Sequence, residues 1–261
     1  MSQSVIAIIL CSVFSIVFPL GLMIRWGIKH KKSLWPIIAG MICFTVFAMG
    51  LEQILHYFVL IADSPASRAV TTSPVLYTLY GAFAAGFFEE TGRLFGFGVL
   101  LKKRTDRYNA VAYGIGHGGI EVILVLGATY AVYLLSVLGV SFGDAATDAL
   151  IQAQTAQLGL PAALVAMFER IVALSVHVGL SMLMFKAVKE KGKLWLYPVC
   201  ILLHALVDAP AALYQLGIIR SVFAVEGWCL VMAVVLVWFG YKALFKGVPE
   251  SVEEEPESEQ I

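Results

Sequence analysis

Two adjacent carboxylates and an arginine lie within one apolar stretch of the sequence. Glu89, Glu90 and Arg93 belong to a run from about 74 to 101, which at about 1.5 Å per residue is long enough to cross a bilayer. Each charge costs roughly 2.5–3.5 kcal/mol at the centre of a membrane helix, whereas each Leu, Ile, Phe or Val contributes only roughly 0.3–0.6 kcal/mol. The charges cancel most of that gain, which favours a chemical role, because a carboxylate in a low-dielectric cavity can accept and return a proton.

Three histidines lie at the same depth as Glu90 in three other apolar runs. Counted from the run ends that are rich in Lys and Arg, Glu90, His117, His177 and His204 each lie about nine to eleven residues in, or roughly 14–16 Å. A lone buried histidine is usually a packing residue, but three at one depth beside two carboxylates favour a functional site. The structural alternative is a local ion pair, since Arg93 is three and four residues from the glutamates.

Two further carboxylates lie one helical turn beyond these histidines. Glu121 follows His117 by four residues, and Asp208 follows His204 by the same interval. Residues four apart share a helix face, so each carboxylate is predicted to orient the histidine on its own helix. The sequence therefore predicts two carboxylate–histidine pairs.

The fifth apolar run carries two adjacent opposite charges, Glu169 and Arg170. Arg170 precedes His177 by seven residues, which places both side chains on one helix face. We interpret Glu169 and Arg170 as a structural ion pair that adjoins the site.

The histidines and one glutamate could also hold a metal ion. His117, His177, His204 and Glu90 provide the nitrogen and oxygen ligands that zinc takes in hydrolytic sites, with one position left for water. No HExxH motif accompanies them. The residues alone therefore leave open whether zinc is bound.

The composition indicates a polytopic membrane protein. The 261 residues are 60% hydrophobic and 14% charged, with a mean hydropathy of +0.86. We predict an all-α bundle in one transmembrane domain, 1–248, followed by a disordered acidic tail, 249–261. The zero net charge gives no indication of a nucleic-acid partner. The predicted spans are 4–24, 34–61, 74–101, 109–139, 161–185, 194–216 and 221–244.

The basic residues determine the predicted orientation. Fourteen of the sixteen Lys and Arg that lie outside the span interiors flank the ends of the first, third, fifth and seventh spans, and only Arg68 and Arg220 lie at the opposite ends. By the positive-inside rule, the N-terminus is outside and the C-terminus is cytoplasmic. The one long outer connection contains a segment, 145–158, that could form a surface helix.

The four cysteines are predicted to be packed thiols. They lie in apolar runs without the close spacing of a metal site, and nothing pairs them as disulfides. They are Cys11, Cys43, Cys200 and Cys229.

Three motifs on successive runs resemble the EExxxR, FxxxH and HxxxN/D motifs of the CAAX-protease and bacteriocin-processing superfamily. They are Glu89-Glu90-x-x-Arg93, Tyr113-x-x-x-His117 and His204-x-x-x-Asp208. Here the arginine comes one residue early, Tyr113 replaces phenylalanine, and Asp208 stands where asparagine is common. The resemblance covers about 74–216.

Two further features look most like the YhfC branch, which is described as intramembrane metalloproteases. They are the HGGxE form of the second motif, which ends at Glu121, and the Glu169-Arg170…His177 motif. The PrsW proteases and the APH-1 subunit of γ-secretase are related branches. The resemblance therefore implies either a peptidase or, as in APH-1, a membrane scaffold.

The resemblance also implies roles for individual residues. Glu90, together with Glu89, would act with His117 to activate a water molecule for attack on a peptide carbonyl. His204 would stabilise the resulting oxyanion, and Asp208 would orient His204. Such a division of roles is chemically sound, because a carboxylate can act as a general base and an imidazolium or a metal can stabilise an oxyanion.

We therefore predict an intramembrane peptidase of the metallo or glutamic type in the plasma membrane of a prokaryote. Its substrate would be a peptide or membrane protein, and its site would open from the cytoplasmic half of the bilayer. The alternatives are a non-catalytic scaffold and a proton- or cation-coupled transporter, in which buried Glu, His and Arg are also typical. The sequence shows no internal repeat and no paired proline-broken spans, which argues against transport.

Overall fold

The computed structural model describes residues 2–31 and 33–246, which form nine helices and no strand. A membrane provides no water for unpaired backbone groups, and a helix pairs these groups within itself. The predicted acidic tail, 249–261, lies outside the described residues. The helices are α1 Gln3–His30, α2 Trp35–Ile61, α3 Pro65–Thr72, α4 Pro74–Phe95, α5 Tyr108–Val137, α6 Ala145–Gln157, α7 Leu160–Lys189, α8 Leu196–Gln215 and α9 Val222–Phe245.

Six of these helices, α1, α2, α5, α7, α8 and α9, are long and apolar enough to cross a membrane. The all-helical membrane bundle predicted from the sequence is thus confirmed. Helix α4 covers most of the predicted third span, 74–101, and carries Glu89, Glu90 and Arg93 in its C-terminal half. The count of seven spans and the orientation stay predictions.

Capping residues define where two of the helices begin. The Ser73 hydroxyl caps α4, which starts with Pro74, a position where the missing N–H costs little. Asp144 caps α6 by accepting hydrogen bonds from the backbone N–H groups of Ala146 and Thr147. The Thr147 hydroxyl also donates to Asp144, and these hydrogen bonds hold the pKa of that carboxyl below its usual range. Helix α6 therefore forms in the segment 145–158, which the sequence analysis described as able to form a helix.

Glycines bring α5 into close contact with α2 and α7. A Cβ on Gly116 would lie 2.0 Å from the carbonyl oxygen of Ile37 in α2, and one on Gly114 would lie 2.6 Å from the Cα of Val178 in α7. No larger residue fits either position without moving a backbone. This close packing holds His117 in the middle of the bundle, where it is fully buried.

The apolar core lies toward the end of the bundle that carries the basic connections. Its buried members come from α2, from the turn that follows α4, from the first turns of α5, from the middle and last turns of α7, and from α8 and α9. Several of its side chains have almost no exposed area, and the largest of these are Tyr113, Phe97, Leu101, Leu180 and Met184. This packing closes the bundle at that end.

Four stretches of π-helix interrupt the α-helices of the described residues. Phe47–Glu52 and Tyr57–Ile61 lie in α2, Gly96–Leu100 extends α4, and Val122–Gly127 lies in α5 directly after Glu121. A π turn contains an additional residue and often occurs near a functional site. Apolar periodicity does not reveal Phe47–Glu52 and Val122–Gly127, because the helix continues on both sides of each, whereas Tyr57–Ile61 and Gly96–Leu100 end their helices.

Candidate active site

Glu89 of α4 is the centre of a polar cluster. Its Oε2 lies 2.9 Å from Nε2 of His117 in α5 and 3.7 Å from Nδ1 of His177 in α7. Its Oε1 lies 3.9 Å from Nε2 of His204 in α8. The ring centroids of His117 and His177 are 4.9 Å apart, and those of His177 and His204 are 5.8 Å apart. The three histidines predicted to share one depth therefore converge around one carboxylate, and the cluster draws on four helices.

Glu90 and Arg93 form an ion pair beside this carboxylate, and neither side chain has any exposed area. Arg93 also contacts Nδ1 of His177, and its Nε donates to Oγ of Ser181 at 3.2 Å. Oε1 of Glu90 lies 2.8 Å from Nδ1 of His204. Arg93 thus balances the charge of Glu90 and connects α4 to α7. The sequence analysis gave a local ion pair of Arg93 as the structural alternative to a functional site, and this pair is present beside the cluster.

Glu121 contacts His177 in α7 and not His117 in its own helix. Its Oε2 lies against Nε2 of His177, and its Oε1 accepts a hydrogen bond from Arg170 at 2.7 Å. Four residues along an α-helix leave a rotation of about 40°, so Glu121 can turn toward α7 while His117 faces α4. The predicted pairing of Glu121 with His117 is therefore wrong, because Glu89 holds that histidine.

The other predicted pairs are present. Nε2 of His204 lies 3.4 Å from Oδ2 of Asp208, one turn later in α8. Arg170 forms an ion pair with Glu169 and a second one with Glu121, so it joins α7 to α5. A chain of contacts consequently leads from Arg170 through Glu121 to the histidine cluster.

A partly enclosed cavity of about 480 Å³ reaches the cluster from between α7, α8 and α9. Glu89, His177 and His204 line its inner end. Glu90 and His117 are fully buried and lie outside the cavity lining. The two adjacent glutamates are therefore in different environments, and only Glu89 can meet a molecule that enters the cavity.

The mouth of the cavity lies near the α8–α9 connection. Tyr214, Gln215 and Val222 line it there. This end of the bundle is opposite to the one that carries the basic connections and the apolar core. The cavity that reaches the cluster thus opens at the end opposite to the basic connections, whereas the sequence analysis predicted an opening from the half that carries them.

Glu226 of α9 is a cavity residue that the sequence analysis missed. It is 7% exposed, and its Oε2 has no hydrogen-bond partner among the described residues. Glu226 is the one acidic residue in the predicted span 221–244. The argument that singled out Glu89 and Glu90, the cost of a charge within an apolar run, would also have found it.

The donor atoms at the inner end of the cavity suit a metal ion. A carboxylate oxygen of Glu89 and one ring nitrogen each of His117 and His177 all lie within 4.8 Å of one another. Two imidazoles and one carboxylate are a ligand set that catalytic zinc takes, with one position left for water. Glu121 at the other nitrogen of His177 is the kind of outer partner that orients a metal-binding histidine. These donor atoms fit a metal ion such as zinc, which would replace the Arg93 guanidinium at Nδ1 of His177.

These features define an integral membrane protein with a buried carboxylate–imidazole cluster. The model of a family described as "YhfC intramembrane metalloprotease" matches residues 14–229, and the chain belongs to this family. The chain is also 34% identical over 252 residues to the "Uncharacterized membrane protein YhfC" of Bacillus subtilis (strain 168), a match that covers 92% of this chain and 96% of the relative. No solved structure matches the chain. The resemblance to the YhfC branch is confirmed, and the placement in the wider CAAX-protease superfamily stays a prediction.

Proposed function

We propose that this chain is an intramembrane metallopeptidase, which hydrolyses peptide bonds of a membrane-associated protein or peptide in the plasma membrane of a prokaryote. The observation that supports the proposal is the convergence of Glu89, His117 and His177, of which Glu89 and His177 line the inner end of a cavity and His117 lies buried behind them. The description of the family as intramembrane metalloproteases agrees with this chemistry.

Glu89, His117 and His177 would hold the metal, and zinc is the first candidate. This set differs from the predicted one, in which Glu90 was the carboxylate ligand, because Glu90 is already paired with Arg93. When bound, zinc would make a water molecule nucleophilic near neutral pH and would polarise a peptide carbonyl.

Glu89 also has an oxygen that faces the cavity side of the cluster. Oε1 points toward His204, 3.9 Å from its Nε2, whereas Oε2 faces the other two histidines. Glu89 can therefore accept a proton from the attacking water and return it to the leaving amine. In this proposal Glu89 takes the role of general base that the resemblance gave to Glu90.

His204 is placed to bind the reacting carbonyl. Its ring lines the cavity, and its two nitrogens face carboxylates, with Glu90 at Nδ1 and Asp208 at Nε2. A nitrogen that faces a carboxylate can carry a proton, so Nε2 of His204 can donate a hydrogen bond to the oxyanion that forms on the peptide carbonyl. His204 is therefore assigned to the substrate and not to the metal, and Asp208 keeps its ring in position.

The predicted orientation places the mouth of the cavity on the outer side of the membrane. The mouth lies at the end opposite to the basic connections, and the positive-inside rule assigns those connections to the cytoplasm. In a Cys229→Ser background, a membrane-impermeant thiol reagent added outside cells should therefore label a cysteine introduced at Gln215 and should not label one introduced at Lys191. The reverse labelling would place the mouth on the cytoplasmic side.

Metal content and hydrolysis together test the proposed function. Protein purified in detergent should contain about one zinc ion per chain, and His177→Ala should lower this content while His30→Ala, a control histidine at the end of α1, should not. The metal-loaded protein should cleave members of a mixed library of quenched fluorescent peptides, and Glu89→Gln should abolish the cleavage. Folded protein with neither metal nor activity would instead support the scaffold hypothesis.

A further inference from the structure

We propose that the part of the cavity between the Glu89 cluster and the mouth is an acidic subsite, which takes a positively charged lysine or arginine side chain of the substrate. Glu226 is its main recognition residue. The inference rests on the proposed peptidase function, because it specifies which side chain lies next to the reacting bond.

Glu226 is a buried carboxylate in the cavity wall with an oxygen free to bind a ligand. It lines the cavity from α9, only 7% of it is exposed, and its Oε2 has no partner among the described residues. A buried carboxylate without a partner is costly, whereas a cation beside it would recover much of that cost. No step of the proposed hydrolysis uses Glu226, so hydrolysis alone does not explain its presence.

The cavity contains more negative than positive side chains. Five carboxylates line it, but Arg170 is the single arginine or lysine among its lining residues; the carboxylates are Glu89, Glu121, Glu169, Asp208 and Glu226. The two charges of a zinc ion would still leave the carboxylates in excess. Arg93 does not change this balance, because it is paired with Glu90 and both lie outside the cavity lining. The cavity as a whole therefore attracts cations.

The subsite fits an organic cation better than a second metal ion. Among the described residues, the metal-like group of donor atoms within 4.8 Å of one another comprises Glu89 and two histidines and includes neither Asp208 nor Glu226. An ammonium or guanidinium on a long stem can interact with carboxylates that are farther apart. Apolar side chains of the cavity wall, Val172, Val176, Val207 and Ala211, would pack against such a stem.

The position of the subsite matches a residue next to the cleaved bond. Asp208 follows His204 by one helical turn, or roughly 6 Å along α8, on the way to Gln215 at the mouth. A peptide carbonyl at His204 would therefore place a neighbouring side chain beside Asp208 and Glu226. The acidic subsite would select lysine or arginine at that position.

Cys229 provides a reporter for the charge of this subsite. It lines the same cavity and is partly exposed, whereas Cys11, Cys43 and Cys200 are buried. The purified full-length protein is treated at low salt with a cationic thiol reagent, trimethylammonium-ethyl methanethiosulfonate, or with its anionic sulfonate analogue. The ratio of the two rates, relative to the same ratio for a free thiol in solution, reports charge alone, because the thiolate fraction of Cys229 affects both rates equally.

The cationic reagent should react faster than the anionic one at Cys229, and Glu226→Gln should lower the ratio of the cationic to the anionic rate about tenfold. A unit charge at about 6 Å changes each rate about threefold even with the dielectric constant of water, and it does so in opposite directions for the two reagents. Glu190→Gln removes a carboxylate outside the cavity and should leave the ratio unchanged. Cys229→Ser should abolish the labelling. A Cys229 that reacts with neither reagent, or a ratio that Glu226→Gln leaves unchanged, would overturn the subsite.

A competition experiment tests the same subsite on the unmodified protein, so its result does not depend on whether a variant folds. Nα-acetyl-lysine methylamide should protect Cys229 from a neutral thiol reagent, and the matched norleucine compound should not. Equal protection by both compounds, or by neither, would contradict a cation subsite. These measurements involve no hydrolysis, so a charged subsite in a protein without peptidase activity would contradict the proposed function and leave the subsite intact.

Discussion

The bundle contains two neighbouring groups of ionisable side chains, one within α4 and one spread over α5, α7, α8 and α9, and they differ in charge balance and access. The closed pair, Glu90 and Arg93, has no exposed area and matches one charge with one charge. The open group lines a cavity and has four carboxylates for one arginine; its members are Glu121, Glu169, Arg170, Asp208 and Glu226. Glu89 lies between the two, within 4.0 Å of Arg93 and at the inner end of the cavity. The closed pair balances its own charge out of reach of the cavity, whereas the open group leaves negative charge where an entering molecule can meet it.

The largest expected effect separates the two adjacent glutamates. Glu89→Gln removes the carboxylate that faces the cavity and should lower peptidase activity by roughly 10²- to 10⁴-fold while the protein stays folded. Glu90→Gln, its matched control, leaves Arg93 buried without its charge partner and should lower the stability of the fold as well. Activity and unfolding in mixed detergent micelles are measured for both variants. Full activity of Glu89→Gln would return the role of base to Glu90.

The second prediction compares the arginines of the two groups. Arg93→Ala leaves the carboxylate of Glu90 unpaired and fully buried, so it should destabilise the protein by about 3–5 kcal/mol. Arg170→Ala should cost less, because its partners Glu121 and Glu169 line the cavity, where water can reach them. Unfolding in mixed micelles, followed by circular dichroism, gives both values. A larger loss for Arg170→Ala would reverse the distinction between the closed pair and the open group.

A third prediction concerns the packing that closes the bundle around the cluster. Gly116→Ala would force a Cβ to within 2.0 Å of the Ile37 carbonyl oxygen, so we expect a destabilisation of about 1–3 kcal/mol together with a displaced His117. Gly81→Ala in α4 is the control, because a Cβ there would meet nothing within 4 Å. The melting temperature and the zinc content should both decrease for Gly116→Ala and stay unchanged for Gly81→Ala.

The smallest expected effect concerns the contact between the open group and the cluster. Glu121→Gln keeps the shape of the side chain but removes the charge that faces Nε2 of His177, and outer partners of this kind are worth about 10- to 100-fold in metal affinity. Zinc affinity is measured by competition with a chelator. Glu169→Gln is the control. Glu169 is the other partner of Arg170 but does not contact His177, so this variant should leave zinc affinity nearly unchanged.

The sequence was sufficient to predict the helical membrane bundle and most of the cluster. Apolar runs separated by basic connections give the helices, because the membrane demands internally paired backbones. Depth counted along each run placed Glu90, His117, His177 and His204 at one level, since the rise of a helix is fixed, and the structure gathers these histidines around the adjacent Glu89. The spacing of four residues also predicted the contact between His204 and Asp208.

The sequence could not predict how the helices are turned toward one another. Spacing placed Glu121 on the side of His117, but the rotation of α5 between α4 and α7 decides which neighbour each side chain meets. The same limit hid the difference between Glu89 and Glu90, which are adjacent in sequence and only about 100° apart on α4. Glu226 was missed for another reason: no motif surrounds it, although the cost of its charge in an apolar run indicates it, and only its place in the cavity depends on which face of α9 lines that cavity.

The π-helical stretch Val122–Gly127 has a consequence for how the length of α5 can vary in evolution. An α-helix turns about 100° per residue, and a π turn holds one residue more than an α turn. Loss of one residue within this stretch would therefore convert it to ordinary α-helix with nearly the same total rotation, so the part of α5 from Ala128 onward would keep its orientation relative to the first part. His117 and Glu121 precede the stretch and would keep their positions. Relatives that differ by a single deletion there could consequently retain both the cluster and the packing of the second part of α5.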